Sequence, residues 1–227
     1  MTRVRGCSHV TYSYHKTAFM KAYKKYFIKT IEHHFPYKAN MLIQKMNIHY
    51  AIISKDTSFA LASKNPIDKR LDFMAYFLAL IKTLDEQQQG FDAIRNICLE
   101  VVTDYVQPKN KLHAFLKRIP PKLMNTWLAA ALLPVLNKKV SKNNNKEGFI
   151  ANIITDKEKT YGLGYGIDII ECGICKLFKK HNYEQYASIL CEVDKITSEL
   201  AGLQLIRTGT IAMGAKKCDF RFKRITQ

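Results

Sequence analysis

Residues 207–222 read RTGTIAMGAKKCDFRF, and the pattern of this stretch predicts a β-hairpin. Apolar residues precede it, a turn rich in glycine and alanine follows, and Phe220 and Phe222 then alternate with charged residues. Such alternation is typical of a half-buried strand. Because neighbouring strand residues face opposite ways, Cys218 is predicted to share a face with Phe220 and Phe222. Its thiol is either a small core hydrophobe or part of a site.

Two stretches upstream supply further thiols. Residues 161–175 read YGLGYGIDIIECGIC, a predicted strand that ends in a Cys-x-x-Cys pair, and residues 190–194 read LCEVD. A thiolate is the reactive form of cysteine, and the backbone N–H groups at the start of a helix favour an anion there. Cys172 stands where the predicted strand gives way to a helix, so it is one candidate for a thiol of low pKa. Cys218, with basic residues nearby, is the other.

Taken in order, these stretches resemble the L-2-amino-thiazoline-4-carboxylic acid hydrolase-like family. The resemblance covers about residues 147–224 and rests on Tyr-Gly-x-Asp at 165–168, Cys172, Cys191 with Asp194, Arg207-Thr208-x-Thr210, Gly214 and Cys218-x-Phe220-x-Phe222. It implies a hydrolase that opens the ring of 2-amino-thiazoline-4-carboxylate. In that reaction water adds at the C2 amidine carbon and gives S-carbamoyl-cysteine.

The resemblance also implies roles for individual residues. The chemistry needs an activated thiolate or water, a proton donor to the ring nitrogen, and a cation for the substrate carboxylate. On this sequence the expected nucleophile or acid is Cys218 or Cys172, and the expected general base is Asp194. Arg207 is the expected carboxylate clamp. The candidate catalytic set is Cys172, Cys191, Asp194 and Cys218, and the candidate substrate-binding set is Arg207, Thr208, Thr210 and Arg221.

Three other functions stay open at the level of sequence: a non-catalytic small-molecule-binding protein, a metal-binding protein, and a basic interaction protein. The sulfurs of Cys172, Cys175, Cys191 and Cys218 could bind zinc, but a strong zinc signature has two Cys-x-x-Cys pairs and this chain has one. No cofactor is therefore predicted, with zinc as the alternative. Lys and Arg number 36 against 19 Asp and Glu, a net charge of +17. Such a charge favours anionic partners: a small anionic substrate, nucleic acid or an anionic membrane surface. Solvated surface charge explains it equally well, and no nucleic-acid-binding motif is recognised.

The order of the predicted elements indicates an α+β fold, with a helical N-terminal half packed on a C-terminal module of a small antiparallel sheet and two helices. Residues 1–140 form the predicted helical region and 147–227 the module, separated by a polar linker at 138–147; one integrated domain is the alternative. Predicted helices span 15–35, 38–54, 71–84, 91–106, 112–118, 172–180 and 183–200, and predicted strands 149–155 and 163–171. Asp68 is the expected N-cap of the third helix.

One apolar segment is a candidate for membrane contact. Leu123 to Leu136 is too short to cross a bilayer, which needs about 20 apolar residues. A buried helix is favoured, and an interfacial helix flanked by basic residues is the alternative. Uneven cysteine spacing and the lack of an apparent secretory signal predict a reducing compartment, hence a cytoplasmic protein without a transmembrane segment. The oligomeric state is not predicted.

Overall fold

The structure is a computed structural model that describes residues 23–112, 119, 123–124, 126–143 and 145–225. Within these residues, α-helices from both halves of the chain pack with a small antiparallel sheet, which confirms the predicted α+β fold. The predicted helix at 112–118 lies almost entirely outside the described residues, as does the start of the first predicted helix.

The N-terminal half is helical because its apolar residues recur every three to four positions. Its helices are α1 at 23–34, α2 at Ala39–Ile53, α3 at Arg70–Asp85, α4 at Phe91–Val106 and α5 at Trp127–Val140. Helix α3 is buried along most of its length and forms the centre of the larger hydrophobic cluster. Within it, Asp72 accepts hydrogen bonds from the hydroxyls of Tyr50 at 2.8 Å and Tyr23 at 3.2 Å.

The sheet contains four antiparallel strands in the order β1-β2-β4-β3. The strands are β1 at Ile150–Ile154, β2 at Gly166–Glu171, β3 at Leu203–Ile206 and β4 at Cys218–Arg224. Helices α6 at Gly173–Lys180 and α7 at Ala187–Leu200 lie between β2 and β3 in the chain. The predicted strand from 163 begins only at Gly166, because Gly162 and Gly164 adopt positive φ in the preceding turn.

Side chains from both halves meet in one hydrophobic cluster and in several polar contacts. The guanidinium of Arg95 in α4 forms a bidentate ion pair with the carboxylate of Glu192 in α7. Lys180 at the end of α6 donates a hydrogen bond of 2.9 Å to Asp56, which follows α2. These contacts fix α6 and α7 against the N-terminal helices. The division of the chain into residues 1–140 and 147–227 stays a prediction.

The segment around Asp68 differs from its predicted role. Helix α3 begins at Arg70 without a side-chain cap, and the carboxylate of Asp68 is buried. It accepts hydrogen bonds from Ser63 Oγ at 2.6 Å and from Asn143 Nδ2 at 2.9 Å. Because the chain near residue 143 folds back over it, Asp68 ties this segment down rather than capping the helix. The predicted linker is also corrected, since residues 138–140 are the last turn of α5.

Helix α5 was predicted to be buried, but much of its apolar surface is exposed. Leu133 and Val140 face the sheet and are buried, whereas the side chains of Trp127 and Leu132 are 81% and 56% exposed. The prediction was wrong because α5 packs on the core through only one of its faces, so that apolar residues on its other sides have no partner among the described residues. In the described part of the chain, no helix combines the length and apolar character needed to cross a membrane.

Candidate functional site

A cavity of about 290 Å³ lies between the sheet, the first turn of α6, helix α7 and the start of α3. Strands β2 and β4 contribute apolar side chains, including Ile167, Ile169 and Phe220. Four cysteines and one carboxylate interrupt this apolar lining: Cys172, Cys175, Cys191, Cys218 and Asp194. These five residues come from three stretches that are well separated in the sequence, around positions 172–175, 191–194 and 218, so the fold brings the thiols together. All four predicted catalytic residues therefore line the same cavity.

Cys172 is placed at the cavity by the junction between β2 and α6. It is the N-cap residue of α6, with an extended backbone. The next residue must be small, because a Cβ atom on Gly173 would lie 3.0 Å from the carbonyl oxygen of Glu147 and 3.1 Å from the Phe149 ring. The close approach allowed by Gly173 therefore seats the first turn of α6, and with it Cys172, against the residues that precede β1.

The thiol of Cys172 is the one whose ionised form is stabilised. A hydrogen bond from the Cys175 thiol lowers the pKa of Cys172, and hydrogen bonds from the backbone N–H groups of Cys175 and Ile174 add to this effect against burial. The two backbone N–H groups belong to the first turn of α6, where N–H groups have no partner within the helix and can bind anions. The same thiol pair raises the pKa of Cys175, so the proton of the pair resides on Cys175.

The two remaining thiols are held in the neutral form. Burial raises the pKa of Cys191 to about 11, although a hydrogen bond with the Thr210 hydroxyl acts in the opposite direction. Burial also raises the pKa of Cys218, whose sulfur accepts a hydrogen bond of 3.2 Å from the Ile211 backbone N–H. Cys172 is therefore the cavity thiol best suited to act as a nucleophile near neutral pH.

Asp194 lies in the cavity wall between two arginines. Its Oδ1 atom is 3.5 Å from Arg70 Nη2, and its Oδ2 atom is 3.7 Å from Arg207 Nη1. Burial raises the pKa of Asp194, and the two guanidinium groups offset part of that increase. A carboxyl group with a raised pKa can exchange a proton nearer to neutral pH than an exposed aspartate can.

The two arginines differ in what they can reach. The side chain of Arg207 is only 17% exposed, stacks 5.1 Å from the centroid of the Phe220 ring and donates a 3.2 Å hydrogen bond to the Cys191 carbonyl. Arg70 lines the cavity itself, and 52% of its side chain is exposed. Arg70 is therefore the guanidinium more available to a ligand. Nothing in the sequence singled it out, because it is one of 36 basic residues and carries no motif.

The other three predicted substrate-binding residues differ in where their side chains lie. Thr210 is buried beside Cys191. Thr208 instead donates a 2.7 Å hydrogen bond from its hydroxyl to Asp219. The Nη2 atom of Arg221 lies 2.8 Å from the Oδ1 atom of Asp168. Because side chains alternate along β4, residues 219 and 221 face away from the side that carries Cys218, and the structure does not bring Thr208 or Arg221 into the cavity lining.

The four cavity sulfurs are not among the groups of described residues that lie close enough together to hold a metal. Among the residues that the structure describes, three potential ligand atoms come within 4.8 Å of one another only at His33, His34 and Glu100. That group is on the helical half and is largely exposed. The zinc alternative therefore has no support from the grouping of the described side chains.

A family model described as L-2-amino-thiazoline-4-carboxylic acid hydrolase matches residues 68–222, about two thirds of the chain. The chain belongs to this hydrolase family. No curated protein and no solved structure matches it significantly. The family match begins well upstream of residue 147, the predicted start of the resemblance. The matched range therefore includes every residue that lines the cavity except Ile67. The cavity of this member of the L-2-amino-thiazoline-4-carboxylic acid hydrolase family lies almost entirely within the part of the chain that defines the family.

Proposed function

We propose that the chain is a hydrolase that opens the ring of 2-amino-thiazoline-4-carboxylate, or of a similar small cyclic amidine, with Cys172 as nucleophile and Asp194 as proton carrier. The observation that carries this proposal is the presence of Cys172 and Asp194 on the wall of one cavity in a member of this family. The cavity volume of about 290 Å³ suits a small molecule.

The choice of Cys172 among the thiols rests on its surroundings. Its pKa is lowered by the Cys175 thiol and by backbone N–H groups, whereas burial holds the pKa of Cys191 and Cys218 above the ordinary value. A thiolate is a far better nucleophile than a thiol. The same helix N-terminus that stabilises the thiolate before the reaction also stabilises it when it leaves.

The substrate carboxylate has a partner in Arg70. This guanidinium lines the cavity, is half exposed and is only loosely paired with Asp194, at 3.5 Å. Arginine binds carboxylates through two parallel hydrogen bonds. Arg207 is instead engaged by Phe220 and the Cys191 carbonyl, so its guanidinium is less available to the substrate.

In the first step, the Cys172 thiolate attacks C2 of the ring. The bond between C2 and the ring nitrogen breaks, and that nitrogen receives two protons. One comes from the protonated carboxyl group of Asp194, and the other comes from the exocyclic amino group, which becomes an imine. The raised pKa of Asp194 supports a protonated form that is accessible for this transfer. The products of the step are a dithiocarbonimidate, whose carbon carries the substrate sulfur, the Cys172 sulfur and the imine nitrogen, together with an Asp194 carboxylate and a freed amino group.

In the second step, water attacks the same carbon. The Asp194 carboxylate takes one proton from the water, the imine nitrogen takes the other, and the carbon–sulfur bond to Cys172 breaks. This gives S-carbamoyl-cysteine, regenerates the thiolate and returns the proton to Asp194. One water molecule is consumed in each cycle, so the atoms balance. The apolar lining from Ile167, Ile169 and Phe220 limits the water that reaches the intermediate.

The test is turnover of 2-amino-thiazoline-4-carboxylate by the full chain, with product measured by mass spectrometry. We expect Cys172→Ser to lower kcat/KM on the order of a thousandfold or more. Cys218→Ser is the matched control, because it removes a thiol from the same cavity, and it should cost about tenfold or less. Wild-type activity that survives in Cys172→Ser would refute the proposed nucleophile. Tight binding of the compound to the wild type without turnover would show a binding protein instead of an enzyme.

A further inference from the structure

Helix α5 carries a stripe of exposed apolar side chains on the side that faces away from the sheet. Trp127, Leu128, Leu132 and Val135 are between 45% and 81% exposed. At 100° per residue they fall within one sector of the helix, opposite the buried residues Leu133 and Val140. A continuous apolar stripe of this kind is typical of an interaction surface rather than of ordinary solvent-exposed helix.

The stripe ends at a cluster of lysines. Lys138 and Lys139 follow Val135 by three and four positions, so they continue the same side of α5 into its last turn. Next to them lies an open cleft of about 530 Å³ whose lining includes Lys64, Lys138, Lys139 and Lys142. The rest of that lining is neutral, and none of the four lysines forms an ion pair with a residue that the structure describes.

We propose that the α5 stripe and this lysine cleft together form a docking surface for an anionic phospholipid membrane. The apolar side chains would lie at the boundary between headgroups and acyl chains, with α5 parallel to the surface. The lysines would bind the phosphates of the lipid headgroups. The net charge of +17 attracts the chain to such a surface over a longer range.

Charge favours a membrane over the other occupants of this surface. A second copy of the chain in a two-fold contact would bring the lysine clusters of two strongly basic molecules close together, which costs energy. Nucleic acid would pair with the lysines but would leave Leu132 and Val135 in water, because bases stack on aromatic rings and not on aliphatic side chains. An anionic lipid surface satisfies the apolar stripe and the lysines at once.

The test uses Trp127, the only tryptophan in the chain, as its reporter. Its emission should shift to shorter wavelength with vesicles of phosphatidylglycerol and phosphatidylcholine, and lipids brominated on the acyl chain should quench it. Vesicles of phosphatidylcholine alone should bind at least about tenfold more weakly. The double variant Leu132→Ser with Val135→Ser should lower partitioning about tenfold or more. The matched control, Ile48→Ser with Ile52→Ser, removes two exposed apolar residues from α2 and should bind like the wild type.

A second pair of variants tests the lysines. Lys138→Glu with Lys139→Glu should abolish most vesicle binding at low salt, whereas Lys55→Glu with Lys216→Glu, at exposed sites elsewhere, should lower it about fivefold or less. Unchanged Trp127 emission with anionic vesicles would overturn the proposal. So would emission that is already shifted without lipid, which would show that the chain or a second copy covers the stripe. Release of bound protein by inorganic phosphate at constant ionic strength, or binding of nucleic acid but not of vesicles, would also refute it.

Discussion

The backbone N–H of Phe149 donates a hydrogen bond of 2.8 Å to Oδ1 of Asp68, across 81 positions of the sequence. Asp68 stands two residues before Arg70, and Phe149 lines the cavity just before β1. The bond therefore ties the start of α3 to the start of the sheet. Asn143 strengthens the link, because its side-chain amide donates to both Asp68 and the Phe149 carbonyl.

We expect Asp68→Ala to lower the free energy of unfolding by about 3 kcal/mol, because it leaves the buried N–H of Phe149 without an acceptor and removes one of the two acceptors of the Asn143 amide. The control is Ser63→Ala, which removes a single donor to the same carboxylate and should cost about 1 kcal/mol. Urea unfolding at neutral pH measures both values. Equal losses in the two variants would show that Asp68 does not hold this junction together.

The thiol pair predicts a pH dependence that can be measured without substrate. The Cys175 hydrogen bond is the largest cause of the lowered pKa of Cys172. Thiolate is the form that iodoacetamide alkylates, so alkylation of Cys172 should begin at a lower pH than for an ordinary cysteine. Cys175→Ala removes the donor and should move this profile to higher pH, while Cys175→Ser keeps a hydroxyl donor and should move it less.

Peptide mass spectrometry across pH gives the rate at Cys172 alone. Cys191 and Cys218 provide internal references in the same samples, because burial raises the pKa of both thiols and their alkylation should rise only at higher pH. Identical profiles for Cys172 in the wild type and in Cys175→Ala would mean that the neighbouring thiol does not stabilise the thiolate.

The position of Arg70 predicts an effect on substrate binding, provided that the proposed hydrolysis is observed. Arg70→Ala should raise KM for 2-amino-thiazoline-4-carboxylate about tenfold or more and change kcat little, because the guanidinium binds a group that does not react. Lys69→Ala removes an exposed positive charge from the adjacent residue and should leave both constants near the wild type. A loss of kcat at constant KM would indicate that Arg70 acts on Asp194 instead of the carboxylate.

Much of the secondary structure was predictable because its signals are local. The spacing of apolar residues predicted α2, α3 and α4 to within two residues at most ends, and alternation at Phe220 and Phe222 predicted β4. The burial of helix α5 was mispredicted for the opposite reason. Hydrophobic residues on all its sides favour burial, but whether a partner covers each side depends on where the helix packs.

The candidate site was likewise predictable only in part. Cysteine at 172, 191 and 218 with Asp194 could be chosen from residue type and order, yet their common cavity depends on strand pairing between Ile169 and Cys218 and on the packing of α7. Thr208 and Arg221 lie near those residues in sequence but are bound to Asp219 and Asp168 instead. Arg70 enters the site through long-range packing that no motif indicated, whereas Cys175 was visible in the Cys-x-x-Cys pair but its contact with the Cys172 thiol was not.

The sequence by itself determined the fold class, the order of helices and strands, and the family, because these follow from local periodicity and from residues in a fixed order. The tertiary structure alone decided which thiols share one cavity, which arginine reaches that cavity and which apolar face of α5 is exposed. Those properties depend on burial and on partners that are distant in the chain. Asp68 and Phe149, 81 positions apart, show how far such a partner can be.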